Sequence, residues 1–210
     1  MSLFVTFEGT EGSGKSTQVE LLARRLRDLR YDVVATREPG GTTLGEALRA
    51  IVLGAEHEIS PEAEVYLMTA ARAEHVRRVI RPALSSGAIV LCDRFVDSTL
   101  AYQGAGRGLP VDELRRVQAL AIDDVWPDLT VLLDLPPEVG LERRAAGGGA
   151  NRIDREGADF HRRVAAWFRS EADRDPMRWV VVDGQPAAPV VHEAVLDRVL
   201  SRLCPGRVTR

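Results

Sequence analysis

Lysine is almost missing from this chain. Of its 28 cationic side chains 27 are arginine, and Lys15 stands alone. Chemistry that needs two lysines is therefore excluded, and so is a lysine-rich tail for nucleic acid or membrane surfaces. The formal net charge of -3 leaves no cationic surplus to displace counterions from a phosphate backbone, so nucleic acid is not an expected partner. Cysteine is scarce as well. Cys92 and Cys204 lie far apart, and the opening MSLFVTFEG has no cationic leader ahead of an apolar stretch and cleavage site. The expectation is a reducing cytoplasm, with Cys92 acting as a small buried hydrophobe. Apolar runs stop at about strand length, far short of the roughly 20 residues that span a bilayer. No membrane partner is expected.

What is present sits at globular averages: 45% hydrophobic and 28% charged residues over 210 positions, which fits one domain spanning residues 1–210. Short apolar runs at 3–7, 32–36, 88–92, 129–134 and 179–182 read as strands. They are mostly continuous rather than alternating, as expected for a sheet buried on both faces. Between them, Val19, Leu22, Ala23, Leu26 and Leu29 recur at helical spacing, as do Leu44, Ala47, Leu48, Ile51 and Val52. Ser60-Pro61 marks a helix start, and the segment to about Leu84 reads as one long helix. Further helices are expected at 111–121, 137–144, 158–173 and 190–203. Alternating strands and helices give a doubly wound, mainly parallel α/β fold of five strands flanked by helices.

In such a fold ligands bind beyond the carboxyl ends of the strands. The segment after the first strand reads Gly9-Thr10-Glu11-Gly12-Ser13-Gly14-Lys15-Ser16 and then Thr17 opens a helix. It matches G-x-x-x-x-G-K-[ST] in the strand-loop-helix context the motif requires, and marks a P-loop that binds a nucleotide. Its glycines let backbone N–H groups wrap a phosphate at angles a Cβ would obstruct. Lys15 supplies a point charge between β- and γ-phosphates, and the Ser16 hydroxyl can ligate Mg2+.

The single lysine narrows the class. An N-K-x-D guanine signature and the second lysine of partition-type ATPases are both absent, which leaves small-molecule kinases in front. A kinase acting on a nucleoside monophosphate must clamp two repelling anions, a task for planar, bidentate arginines. Arg37 follows the second strand in TREPGGT and Arg94 follows the third in DRFVDSTLAYQ. An acceptor phosphate oxygen is already anionic near neutral pH, so no general base is nominated; positioning and charge neutralisation carry the rate. Asp134, ahead of Leu135, Pro136 and Pro137, reads either as a Walker-B acid or as a helix cap. His57, His75, His161 and His192 lack ligand spacing and are assigned to surface or core.

EGTEGSGKST, TREPGGT, DRFVDSTLAYQG, PDLTVLLDLPPEVGLERR and NRID occur in the order and at the spacing of the thymidylate kinase family, and the chain resembles it over about its whole length. The resemblance implies a nucleoside monophosphate kinase-like P-loop NTPase, transfer of the γ-phosphate of ATP to dTMP, Mg2+ dependence and a homodimer. It further implies that Arg94 and Arg37 hold the dTMP phosphate and that Arg72 points at the thymine edge. Tyr102 would crowd the sugar 2′ position, with Ser98, Thr99 and Gln103 around the base. Met68 stands where the family often stacks a phenylalanine on thymine. Glu11 would reach the sugar hydroxyl or a magnesium-bound water, and Asp93 would hold a magnesium water or orient Arg94. A lid at about 143–155 would supply the arginine that stabilises the transferring phosphoryl, Arg152 or Arg144, because the P-loop has no basic residue between its glycines. Arg143 and Gln185 would border adenine.

Overall fold

The computed structural model describes residues 2–54, 58–147 and 151–203. Cys204, His57 and residues 148–150 of the expected lid lie outside the described residues. Five parallel strands, β1 (Leu3–Glu8), β2 (Val33–Arg37), β3 (Ile89–Asp93), β4 (Leu129–Asp134) and β5 (Trp179–Asp183), form one sheet in the order β2-β3-β1-β4-β5. Each expected strand is present, and most of them run one residue further at the carboxyl end than the apolar pattern suggested. Glu8, Arg37 and Asp93 thereby end strands and reach the sheet edge, with Arg37 and Asp93 paired in register.

Both faces of the sheet are covered, which is why its strands are continuously apolar. On one side Leu3, Val5 and Phe7 of β1 pack with Val19, Leu22 and Leu26 of α1 (Lys15–Asp28) and with Val191, Val195 and Val199 of α9 (Ala188–Leu203). On the other, Phe4, Val90 and Cys92 pack with Val76, Ile80 and Phe95. Cys92 is fully buried, and burial pushes its thiol well above the ordinary range. Where β1 and β4 place polar side chains inside, Thr6 and Thr130 satisfy each other through a 3.0 Å hydroxyl contact.

Helix starts follow local chemistry. Thr42 caps α2 (Thr43–Leu53) by accepting from the Gly45 N–H at 2.9 Å, and Ser60 caps α3 (Pro61–His75) by accepting from the Ala63 N–H. The long helix expected from residue 60 to 84 is interrupted. Val76–Ile80 forms a π-helical turn, in which the Arg81 N–H reaches the Val76 carbonyl, before α4 (Arg81–Ser85). Pro82 follows at once; it has no N–H to give and its ring crowds the preceding turn, so the ladder widens there. A second π segment escaped the sequence reading altogether. Residues after β3, to which the periodicity assigned no element, form α5 (Val96–Thr99) and then a π turn over Leu100–Gly106. Ser98 on α5 and Tyr102 on the π turn are four apart, and both reach the end of β1, Ser98 donating to Glu8 and Tyr102 to the Gly9 carbonyl.

The remaining helices are α6 (Val111–Ile122), α7 (Pro137–Ala146) and α8 (Ala158–Arg174). α7 meets the P-loop with no side chain between them: a Cβ on Gly12 would lie 1.9 Å from the Gly140 carbonyl oxygen, and one on Gly140 would lie 2.2 Å from that of Glu11. Gly12 also has φ +67°, a left-handed conformation that favours glycine.

Candidate active site

A cavity of about 470 Å³ opens at the carboxyl ends of β1, β2 and β3. Glu11, Gly12, Gly14, Lys15, Ser16 and Thr17 form its floor. Gly9, Thr10 and Ser13 stand behind and hold the Lys15 ammonium, which donates to the Gly9 carbonyl at 3.1 Å, the Thr10 carbonyl at 2.7 Å and the Ser13 hydroxyl at 3.0 Å. Burial, with repulsion from Arg94, lowers the Lys15 pKa to about 8. The Ser16 hydroxyl donates to the Asp93 carboxylate, so one hydroxyl and one carboxylate oxygen adjoin at the floor. These hard oxygens fit Mg2+, which keeps waters and nucleotide phosphates as its other ligands. Among the described residues no group of three or more His, Cys, Asp or Glu side chains could hold a metal by itself.

Three arginines line the same cavity. Arg94 sits at φ +69°, an uncommon left-handed conformation for a side-chain-bearing residue. It donates to the Gly9 carbonyl at 3.0 Å, the Ser98 hydroxyl at 3.1 Å and the Glu11 carboxylate at 3.0 Å, and lies 4.8 Å over the Tyr102 ring. Arg37 grips Glu46 through two contacts of 3.0 and 3.1 Å. Arg49 is the third, and the sequence reading missed it. It lies off the apolar stripe of α2, and only the turn through the TREPGG loop carries it back beside Arg37. It donates to the Pro39 carbonyl at 2.8 Å, and its pKa is lowered by burial and then by Arg37. Guanidinium groups that repel one another at a cavity wall mark a place for an anion.

Glu11 is the best-held side chain of the loop. Burial alone would raise its pKa, but His161, Arg94, Lys15 and Tyr102 bring it down to about 2. One carboxylate oxygen takes Arg94 and the Tyr102 hydroxyl; His161 Nδ1 lies 3.3 Å from the other. His161, assigned by sequence to surface or core, is buried against the P-loop. Its position on the buried stripe of α8 with Val164, Ala165 and Phe168 was a readable signal. Glu38 also lines the cavity and accepts from Arg72 at 2.8 Å and from His75 at 3.0 Å, so it stiffens the loop after β2.

Other expected residues divide. Met68, Ser98, Tyr102 and Gln103 stand in the cavity wall, as do Arg143 and Arg144. Arg72 does not. It is fully buried, its guanidinium shared among Glu38, Thr99, Gln118 and the Phe95 carbonyl, because a cation without water needs a full set of acceptors. Thr99 is likewise turned inward to accept from Arg72. Of the two candidate lid arginines, Arg144 lies in the wall and contacts Asp154 at 3.2 Å, whereas Arg152 is drawn to the Val52 carbonyl and Glu64. Arg143 donates to the Gly184 and Gln185 carbonyls at 2.8 and 2.7 Å, and the Gln185 side chain is exposed outside the wall. Asp134 is neither cap nor floor: both its oxygens accept from Arg169, at 2.9 and 3.0 Å.

A family model described as thymidylate kinase matches residues 7–195. The chain belongs to the thymidylate kinase family. It is 57% identical to a thymidylate kinase of Thermomicrobium roseum, covering 99% of each chain, and 48% identical to one of Pseudomonas fluorescens, covering 96% of each. The crystal structure of thymidylate kinase from Ehrlichia chaffeensis superposes with a TM-score of 0.79 at 35% identity, covering 94% of this chain and 98% of that one. The α/β fold of a P-loop kinase is thus shared along nearly the whole thymidylate kinase sequence.

Proposed function

We propose that this cavity transfers the γ-phosphoryl group of ATP to dTMP, giving ADP and dTDP, with the work divided among the residues as follows. Activity and substrates follow from membership of the thymidylate kinase family, and ATP with Mg2+ serves it. The observation that supports the division is that Arg37, Arg49 and Arg94 line one cavity together with Lys15. Two phosphate-bearing ligands can then meet between them. The P-loop amides and Lys15 hold the donor, and the three arginines hold the acceptor phosphate. Ser16 and Asp93 are the residues that would hold Mg2+, which supplies charge neutralisation on the phosphates when bound.

The acceptor oxygen attacks the γ-phosphorus as an anion, so no side chain has to remove a proton. Arg94 orients it, and the contacts of Arg94 to Gly9, Ser98 and Glu11 fix that orientation. Glu11, ionised at any working pH, offers an acceptor to the sugar hydroxyl; Tyr102 closes the 2′ side. Gln103, Ser98 and Met68 frame the base. Arg144, already in the wall, is the better placed of the two lid arginines to meet the transferring phosphoryl once a lid at about 143–155 closes over one P-loop kinase domain. Exposed Tyr66 on α3 and Leu120 on α6, adjacent helices, support a homodimer. A buried thiol at Cys92 is in keeping with a reducing cytoplasm. No described helix is long and apolar enough to cross a membrane.

A coupled ADP-release assay with a panel of monophosphates tests this reading. ADP formation is expected only with an acceptor present and fastest with dTMP. ATP hydrolysis indifferent to every monophosphate would overturn it.

A further inference from the structure

Glu64 is fully buried and sits in the cavity wall beside Gln103, one helical turn before Met68. Three donors converge on it. One oxygen accepts from the Gln103 side-chain amide at 2.5 Å and from Arg107 at 3.1 Å; the other takes Arg152. A carboxylate between two guanidinium groups has acceptors only, so Gln103 must turn its NH2 toward it. The carbonyl oxygen of Gln103 is then fixed in the opposite sense. It is buried and has no hydrogen-bond partner within the protein. A buried acceptor in a cavity wall is a demand for a donor on whatever enters.

We propose that Glu64 is a specificity-determining positioning residue: by holding the Gln103 amide in one orientation it makes the cavity require an N–H at position 3 of a pyrimidine base. This rests on the reading that Gln103 borders the base of the acceptor. Thymine carries a hydrogen on N3 and donates it; cytosine presents a bare N3 lone pair there and would meet the Gln103 oxygen acceptor to acceptor. Gln103 has no remedy, because turning its amide over would set its oxygen against the Glu64 carboxylate. Glutamine discriminates only as far as its orientation is imposed, and Glu64 imposes it.

Glu64→Gln preserves volume and adds a donor, so the Gln103 amide is free to turn over. The ratio of kcat/KM for dTMP to that for dCMP is expected to fall by about tenfold or more, since sites built around one hydrogen bond reject the analogue lacking it by large factors. Loss of the Arg152 contact alone would slow both acceptors alike and leave the ratio where it was. A folded Glu64→Gln enzyme with an unchanged ratio overturns the inference. Should that variant fail to fold, the wild-type protein still answers. Its Gln103 side-chain amide hydrogens, identified by their absence in Gln103→Met, are expected to stay protected from deuterium exchange with and without dTMP; rapid exchange in both states overturns the inference. Gln103→Met also separates the two readings. If it leaves the dTMP KM unchanged, the placement of Gln103 at the base fails and the proposal fails with it; if it raises that KM while Glu64→Gln leaves the ratio intact, only the role of Glu64 falls.

Discussion

The Tyr102 hydroxyl donates to Glu11 across 2.8 Å, and the same carboxylate oxygen receives Arg94 at 3.0 Å. The Arg94 guanidinium in turn lies 4.8 Å over the Tyr102 ring, so the three side chains close a triangle around the acceptor end of the cavity. Tyr102→Phe keeps the ring and removes one hydrogen bond to a charged group, a loss of about 1.5–3 kcal/mol. The expected outcome is a drop in kcat/KM for dTMP of roughly 10- to 100-fold, with ATP affinity unaltered. Steady-state kinetics with each substrate varied in turn would show it, and equal losses for both substrates would contradict the triangle.

The two arginines proposed for the lid separate by placement. Arg144 borders the cavity and Arg152 is committed to Glu64 and the Val52 carbonyl. Arg144→Ala is expected to lower kcat with little change in either KM, as for an interaction made only in the transition state. Arg152→Ala is expected to lower kcat less. A larger kcat loss for Arg152 would reverse the assignment.

Lys15 carries a pH signature. Burial first, then Arg94, lower its pKa to about 8 in the free protein. Bound phosphates favour the ammonium, so ATP affinity is complete below that pH and is lost as pH rises through it. Binding titrations between pH 7 and 10 would trace the loss. Lys15→Arg should remove this alkaline limb, because a guanidinium does not titrate there. Lys15→Ala is expected to abolish turnover while the thermal unfolding transition persists.

Glu8, under the loop, titrates the opposite way from a surface carboxylate. Burial and then repulsion from Asp97 raise its pKa from 4.5 to about 7 in the folded chain. Between those values the unfolded chain has released the proton and the folded one has not, so stability falls as pH rises from 4.5 toward 7, by up to about 3 kcal/mol. Glu8→Gln should flatten that slope. Denaturant midpoints across pH 5 to 8 would measure it, and parallel slopes in the two proteins would refute the assignment.

The sheet was legible because β1, β3 and β4 are apolar on both faces, a pattern that survives without any alignment. The P-loop was legible because its backbone demands glycines at fixed spacing, and Arg37 and Arg94 because they follow apolar strand runs. Arg49 and Glu64 were not, since nothing within a few residues distinguishes them from surface charges, and the buried stripe of α8 marked His161 as interior without revealing that it meets the P-loop. Their roles arise where separate elements converge. The two π turns were hidden for a related reason: helical periodicity does not reveal where a ladder widens by one residue. Arg72 shows the converse: expected at the thymine edge from the resemblance, its guanidinium is engaged by Glu38, Thr99 and Gln118 inside the protein.

The meeting of Gly12 with Gly140 fixes the stem from which the proposed lid would close. Backbone docked on backbone leaves α7 no slack against the phosphate loop. Arg143 and Arg144 follow within about one helical turn, so they emerge from an anchored stem rather than from a free strand of chain. A short tether from a fixed point gives its end a high effective concentration near that point. The entropy of bringing these cations toward the phosphate loop is then spent largely in folding rather than at each turnover.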